Sequence, residues 1–255
     1  MIPSDRPVTI IPDIHGRSFW KEALRVLPEG HLVFLGDYLD PYEEEGISDE
    51  KAIYNLFDIV ALKQSHPENI TLLWGNHDLH YLYRNLRGSR YDEWDQARIS
   101  QFLFQNKDLF KIAEDMVLHG RRFLFTHAGA GRKWLSMVDP LFRDTAPGAD
   151  ALNGLMQSRR FIEALGAIPV RRGGWSEYGS IVWADLKEHT EEDNQYKDII
   201  QVFGHTQLSR PYNLNGRVYC LDCRRCFHLN PVTGTIEEHS SYAGANDTVL
   251  SYPIG

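Results

Sequence analysis

Apolar runs along this chain stop abruptly in small polar clusters, and they do so five times. Thr71 to Trp74 is apolar and is followed at once by Gly75, Asn76, His77 and Asp78. Other apolar runs end in Asp13-Ile14-His15-Gly16, in Gly36-Asp37-Tyr38-Leu39-Asp40, in Thr126-His127-Ala128-Gly129 and in Gly204-His205-Thr206. A short apolar run bounded by turn residues reads as a strand buried on both faces. Five strand ends carrying Asp, His and Asn, each beside a glycine, predict one metal site fed from one sheet edge.

The rest of the pattern sets the order of elements. Val8 to Ile11 is the first predicted strand. Ser18 is a candidate N-cap for a helix over FWKEALRVL that closes at Pro28-Glu29-Gly30. His31 to Leu35 is the second strand, PYEEEGI an acidic turn-rich loop, and Ser48-Asp49-Glu50 opens a helix to about Lys63 with Ile53, Leu56, Phe57 and Val60 on one stripe. Pro67-Glu68-Asn69 turns the chain into the strand at Thr71. Strand, helix, strand, helix, strand implies right-handed crossovers, a mainly parallel sheet, and ligands beyond the carboxyl ends of the strands.

Further on, Asp92 to Asp115 reads as helical, with Trp94, Ile99, Phe102, Leu103 and Phe110 as core residues. Arg122 to Phe125 is a strand, Arg132 to Val138 a short helix, and Ala149 to Leu165 a helix despite Gly154. Arg171 to Leu186 is irregular and reads as an excursion over the site. Ile199 to Phe203 is a strand, and Gly216 to Leu221 and Thr235 to His239 are late antiparallel strands with turns at Asn215-Gly216 and Thr233-Gly234.

Composition narrows the class. Hydrophobic residues make up 42% and aromatic residues 12% of the 255 residues, which supports a packed core and argues against disorder. The ligand-bearing segments span Asp13 to His205, so residues 1–255 read as a single domain. A formal net charge of −8 argues against coating a nucleic-acid backbone, though it permits a phosphate substrate if metal ions dominate the local field. The three cysteines, Cys220, Cys223 and Cys226, fit no disulfide framework. No signal peptide is visible and no apolar run approaches the ~20 residues of a membrane helix, so a soluble cytoplasmic location is the expectation.

The candidate ligands are Asp13, His15, Asp37, Asn76, His127 and His205. Asp and His one residue apart can both turn to one cation, and a carboxylate such as Asp37 can bridge two. Mixed oxygen and nitrogen donors without thiolate suit two divalent ions of Mn, with Fe, Zn or Co as alternatives, better than Ca or a structural zinc. Two cations ~3.5–4 Å apart hold a phosphoryl group and lower the pKa of a bridging water. That water attacks phosphorus directly, so no covalent enzyme intermediate is needed. The leaving alkoxide needs a proton. His77 is the candidate general acid, and Asp40, three residues beyond Asp37, would hold its other ring nitrogen.

Taken together, D-x-H-G, G-D-x-x-D, G-N-H-D, H-A-G and G-H resemble the calcineurin-like metallophosphoesterases, over Asp13 to about Asp222. Within them the resemblance is to the phosphoprotein phosphatase, serine/threonine phosphatase-like, branch. Relatives of the nuclease and phosphodiesterase type usually read G-H-T-H, and Gln207 stands in the place of that second histidine. The resemblance implies an α/β fold, a four-layer αββα sandwich with two mixed β-sheets. It implies one metal at Asp13, His15 and Asp37, a second at Asp37, Asn76, His127 and His205, and an acid pair in His77 and Asp40. One block departs from the pattern. The family continues G-D-x-x-D-R-G, with the arginine gripping phosphate, whereas Asp40 is followed here by Pro41-Tyr42. Arg84 is the candidate replacement, with Arg171 and Arg172 behind it.

Blander readings apply elsewhere. His31, His66, His80, His119, His189, His228 and His239 lack a ligand context and read as structural or surface residues. The C-x-x-C-x-x-C run with His228 nearby invites a zinc site, but six residues are a tight span for four ligands. Glu43-Glu44-Glu45 reads as a solvated turn. Trp175 and Trp183 could wall a cleft, although aromatic core is the commoner fate. The expected activity is a metal-dependent phosphomonoesterase acting on phosphoserine, phosphothreonine or small phosphate esters. The alternative is a symmetrical diadenosine tetraphosphate hydrolase, because Gly75 to His80 and His127-Ala128-Gly129 resemble those bacterial enzymes as well. A non-catalytic scaffold is disfavoured because the ligand set and His77 are all present.

Overall fold

Strands that are apolar on both faces need cover on both sides, and here two sheets cover each other. The computed structural model describes residues 1–27 and 29–238. The chain runs through β1 (Val8–Ile11), β2 (His31–Phe34), α1 (Asp49–Ser65), β3 (Ile70–Leu73), α2 (Asn76–Leu82) and α3 (Gln96–Asn106). It continues through β4 (Phe110–Lys111), β5 (Ala113–Leu118), β6 (Arg121–Thr126), α4 (Arg132–Val138), α5 (Ala149–Leu155) and α6 (Arg159–Ala164). It closes with β7 (Ile199–Phe203), β8 (Tyr212–Leu214), β9 (Val218–Cys220), β10 (Phe227–Leu229) and β11 (Ile236–Glu238).

The first sheet has the order β11-β10-β1-β2-β3-β4, with β1 to β4 parallel and β10 antiparallel to both its neighbours. The second has the order β5-β6-β7-β9-β8, with β6, β7 and β9 parallel and antiparallel strands at both edges. Both sheets are mixed. Alternation along each strand divides the core. Val8, Ile10 and Val33 meet Phe123, Phe125 and Val202 between the sheets. The intervening Ile11, Leu32 and Phe34 pack with Ile53, Leu56 and Ile59 of α1. On the far side Leu124 packs with Leu135, Leu152 and Phe161 of α4, α5 and α6. The result is helix, sheet, sheet, helix, and each fully buried large apolar side chain contributes about 1.5–3 kcal/mol.

This layering corrects the single sheet edge read from the strand ends. The five ligand-bearing strands belong to two sheets: β1, β2 and β3 to one, β6 and β7 to the other. Their carboxyl ends share a rim because the parallel strands of both sheets point the same way into it.

Several boundaries also differ. Phe19–Val26 is 3-10 rather than α-helix, though Trp20 and Ala23 are buried as the stripe requires. Ser48 does cap α1, its hydroxyl accepting from the Lys51 amide. The expected helix to Asp115 stops at Asn106, and β4 and β5 take the rest. Two acidic residues make AEDMVL a poor strand on paper, but each finds a partner. Glu114 takes the amino terminus at 3.0 Å and Lys111 Nζ at 2.6 Å, and Asp115 accepts from the Ala149 amide at 3.1 Å. Trp94 is not core: it is 97% exposed, in a turn where Asp92 accepts from the Trp94 and Asp95 amides ahead of α3. The predicted helix over Ala149 to Leu165 breaks in two because the Ser158 hydroxyl caps the Phe161 amide and starts α6 afresh. Asn215-Gly216 turns the β8–β9 hairpin, with φ +50° and +67° at the two residues. Tyr212–Leu214 and Phe227–Leu229 are too short to read from pattern. Pro28 and His239 lie outside the described residues.

Candidate metal centre

Each strand end at the rim turns sharply, and the backbone shows how. His15, Asp37, Asp40 and His205 all have positive φ, from +43° to +62°, a region that short polar side chains tolerate better than apolar ones. The chain can therefore leave β1, β2 and β7 and point a functional group back across the rim within two or three residues. Close approach is the second requirement. A Cβ at Gly75 would lie 2.1 Å from Asp37 Oδ1, and one at Gly204 would lie 2.0 Å from Asp13 Oδ1. Glycine beside each ligand is thus a packing necessity.

The ligand set converges. Asp37 Oδ1 accepts from the His77 amide at 2.9 Å, while Oδ2 lies 3.6 Å from His15 Nε2 and 3.4 Å from His127 Nε2. Asp37 alone is shared by two buried donor groups, Asp13-His15-Asp37 and Asp37-His127-His205. His127 Nε2 is also 3.0 Å from Asn76 Oδ1 and 3.1 Å from His205 Nδ1. His127 donates its Nδ1 proton to the Leu35 carbonyl at 2.8 Å, and His15 donates Nδ1 to the Leu39 carbonyl at 2.7 Å. Both rings are thus held with Nδ1 on a backbone carbonyl and Nε2 facing inward. Asp37 Oδ2, Asn76 Oδ1 and His205 Nδ1, the three atoms around His127 Nε2, share at most one proton, whereas a cation satisfies them all. The donor set fits divalent metal ions, and the two groups suggest a dinuclear site.

Electrostatics agree. Burial opposes charge on His127, but Asp37 and Asp13 outweigh it and push the imidazole up to about 9. Burial raises Asp13 to about 6. Burial also works against Asp37, yet the charge of His127 holds it well below the usual carboxylate range. His205 is driven well below its ordinary value by burial and then by the Arg172 cation. These buried carboxylates create a field that favours cations.

Beside this centre, His77 Nδ1 meets Asp40 Oδ2 at 2.6 Å. Asp40 also lies 2.8 Å from His80 Nε2 and accepts from the Tyr81 hydroxyl. Burial works against the Asp40 charge, but hydrogen bonds from His77 and His80 keep the carboxyl low. Asp78, the last residue of G-N-H-D, accepts from the amides of Asp37, Tyr38 and Gly75 at 2.9–3.0 Å and clamps the ends of β2 and β3 together.

The arginines sort differently from the sequence expectation. Arg84 is exposed on a 3-10 turn, and among the described residues no hydrogen bond or ion pair ties it to the ligand set. Arg171 is exposed as well. Arg172 sits at the rim, donating to the Thr206 hydroxyl at 2.5 Å and lying 3.4 Å from Asp185 Oδ2. Arg90, which sequence reasoning missed, reaches His77 and Asp40.

Trp183 is buried with its ring 5.6 Å from that of His205, so the excursion over Arg171 to Leu186 does border the site, whereas Trp175 is almost fully exposed. His80 is a buried neighbour of Asp40 and His77. His31 and His189 are buried structural residues, bonded to Thr71 and to the Ala128 carbonyl. Glu45 is no solvated turn residue, since it pairs with Arg17 and Arg224. None of the three cysteines is in a disulfide, and none joins a metal-capable group among the described residues.

A family profile described as calcineurin-like phosphoesterase matches residues 6–220. A solved structure of a mutant cold-active protein tyrosine phosphatase is similar at 16% identity and a TM-score of 0.54, over 93% of this chain and 83% of that one. A second structure of a cold-active protein tyrosine phosphatase gives 16% identity and 0.52, over 93% and 81%. A protein serine/threonine phosphatase from Saccharomyces cerevisiae gives 18% identity and 0.48, over 89% and 73%. At these identities the first two speak for a shared fold.

Proposed function

Because this chain belongs to the calcineurin-like phosphoesterase family, we propose that it is a dinuclear phosphomonoesterase of the serine/threonine phosphatase type. The observation that carries the reading is the meeting of Asp37 Oδ2, Asn76 Oδ1, His127 Nε2 and His205 Nδ1 around one point, with Asp13 and His15 on the other side of Asp37. Asp13, His15 and Asp37 hold one ion in this reading, and Asp37, Asn76, His127 and His205 hold the other. Mn is the proposed metal, with Fe, Zn or Co as alternatives. When bound, two such ions supply an anchor for phosphate oxygens and an acidified water.

The remaining chemistry belongs to the chain. His77 carries the proton needed by the leaving oxygen on Nε2. Asp40 holds Nδ1 and fixes the tautomer and the ring plane. Arg172 places a guanidinium on the His205 side of the rim for the phosphate. The proposed substrate is a phosphorylated protein or a small phosphate ester.

The test is turnover by metal-loaded protein of p-nitrophenyl phosphate, of phosphoserine, phosphothreonine and phosphotyrosine peptides, and of diadenosine tetraphosphate, beside Asp37→Asn. Elemental analysis should find two metals per wild-type chain and both depleted in Asp37→Asn, with hydrolysis lost in parallel. Preference for the tetraphosphate, or for phosphotyrosine, would replace the substrate assignment. Fully metallated protein that cleaves none of them would overturn the activity.

A further inference from the structure

Pro41-Tyr42 stands where the resembling pattern has an arginine, and a different part of the chain brings an arginine to Asp40 and Tyr42. We propose that Arg90, on the loop between α2 and α3, is a substrate-phosphate contact of this centre, presented on the ring of Tyr42. The proposal rests on the phosphoester reading of the site.

Three observations carry it. First, the Arg90 guanidinium touches both members of the acid pair. Nη1 donates to the Asp40 carbonyl at 2.6 Å, and Nη2 lies 3.0 Å from His77 Nε2, the ring nitrogen that Asp40 leaves free. Second, it is stacked 3.7 Å over the Tyr42 ring, whose edge in turn meets His15 at 5.0 Å between centroids. Stacking fixes the plane of the fork and leaves its edge N–H groups directed along that plane. Third, the cation has no carboxylate partner among the described residues, whereas Arg17, Arg172 and Arg224 nearby all do. A half-buried guanidinium held beside a candidate acid, with N–H groups to spare and no counter-ion, is a binding group for an anion.

The loop is built to hold that position. Arg90 has φ +57°, a conformation disfavoured for its side chain. The neighbouring Tyr91 ring stacks on Tyr81 at 4.7 Å, and the Tyr81 hydroxyl binds Asp40 and accepts from the Asp92 amide at 2.9 Å. The loop is thereby tied to the same carboxylate that orients His77. Tyr42 supplies the platform two residues after Asp40, and the charge comes from a residue 50 positions beyond Asp40. In the resting site Nε2 accepts from Nη2; when a phosphoryl group enters, its oxygens take over Nη2, and Nε2 is freed to take up from solvent the proton that it gives to the leaving oxygen.

The test reads oxyanion binding as well as turnover, so that it does not depend on the substrate assignment. Inorganic phosphate and tungstate are titrated into metal-loaded wild type, Arg90→Ala, Arg90→Lys and Tyr42→Leu, with metal content measured for each. Arg90→Ala should keep both metals and weaken phosphate and tungstate by about 10- to 100-fold, the loss expected for hydrogen bonds to a charged group. KM for p-nitrophenyl phosphate should rise by a similar factor and more than kcat falls. Guanidinium ion should restore part of the loss. Arg90→Lys should recover only a fraction, since an ammonium lacks the fork. Tyr42→Leu should weaken the anions in the same direction but less. Unchanged oxyanion affinity and KM in Arg90→Ala would overturn the proposal, and so would metal loss that accounts for the whole effect. Should Arg90→Ala fail to fold, Arg90→Lys decides on the same readouts, with wild-type affinity counting against. A wild type that binds tungstate through Arg90 yet cleaves no phosphoester would sink the enzymatic reading and leave the contact standing.

Discussion

Asp37 divides its two oxygens between structure and chemistry. Oδ1 accepts the His77 amide and so sets the start of α2, while Oδ2 points between His15 and His127. The same economy places His77, whose backbone is fixed by one carboxylate and whose ring is fixed by another. An acid role for that ring predicts a leaving-group effect. His77→Asn should keep both metals, because Asn76 rather than His77 faces His127. It should slow hydrolysis of alkyl phosphates by about 10²–10⁴-fold and that of p-nitrophenyl phosphate much less, since nitrophenolate leaves without a proton. Equal losses on the two esters, measured side by side at full metal loading, would remove His77 from the acid role. At this scale the chain was readable. Asp13, His15, Asp37, Asn76, His127, His205, His77 and Asp40 stand out as polar residues ending apolar runs. Arg90 carried no such mark, since a lone arginine in a polar loop says nothing about where the loop folds.

Among the elements, the strands at the rim were legible because both of their faces are buried, which leaves continuous apolar runs in β1, β2, β3, β6 and β7. β5 was not, because its acidic residues are satisfied by the amino terminus, Lys111 and α5, all distant from its own pattern. The β3–α2 junction carries the sharpest prediction. Gly75 has φ −97°, so its role is space and not backbone conformation. Gly75→Ala would drive a methyl into Asp37, displacing the shared carboxylate. We expect it to cost about 1–3 kcal/mol in urea unfolding and to lower metal content. Gly154→Ala, in α5 with open space around it, should be neutral or stabilising by up to roughly 1 kcal/mol. If the two substitutions behave alike, close approach at the junction is not what selects glycine.

Over the whole molecule, two histidines outside the centre link stability to pH. His31 lies against Thr71, and His189 lies beneath the Ala128 carbonyl. Burial pushes both down to about 4 from 6.5. The unfolded chain therefore takes up protons that the folded chain refuses, so their contribution is full above pH ~6.5 and falls as pH drops toward 4. Each should lose about 2 kcal/mol of stability between pH 7.5 and pH 5. The check is the difference in urea unfolding free energy between wild type and His31→Gln, or His189→Gln, at the two pH values. Metal and carboxylate contributions cancel in that difference, which should shrink by about that amount on acidification. A constant difference would mean that the rings are hydrated enough to protonate in the folded state.

The sequence alone determined which side chains could bind metal, because a strand end that carries Asp, His or Asn beside glycine states its chemistry locally. It also determined the parallel order of the first three strands, since the alternation of periods is itself local. Tertiary structure decided what depends on distance through space. It drew the five ends from two facing sheets instead of one. It joined the halves of the centre through the single oxygen of Asp37 and seated Arg90 on Tyr42. Each of those contacts links residues that sequence separation keeps apart: the packing of one sheet on the other brings His127 to Asp37, and the pairing of β2 with β3 brings the loop after α2, with Arg90, to Tyr42.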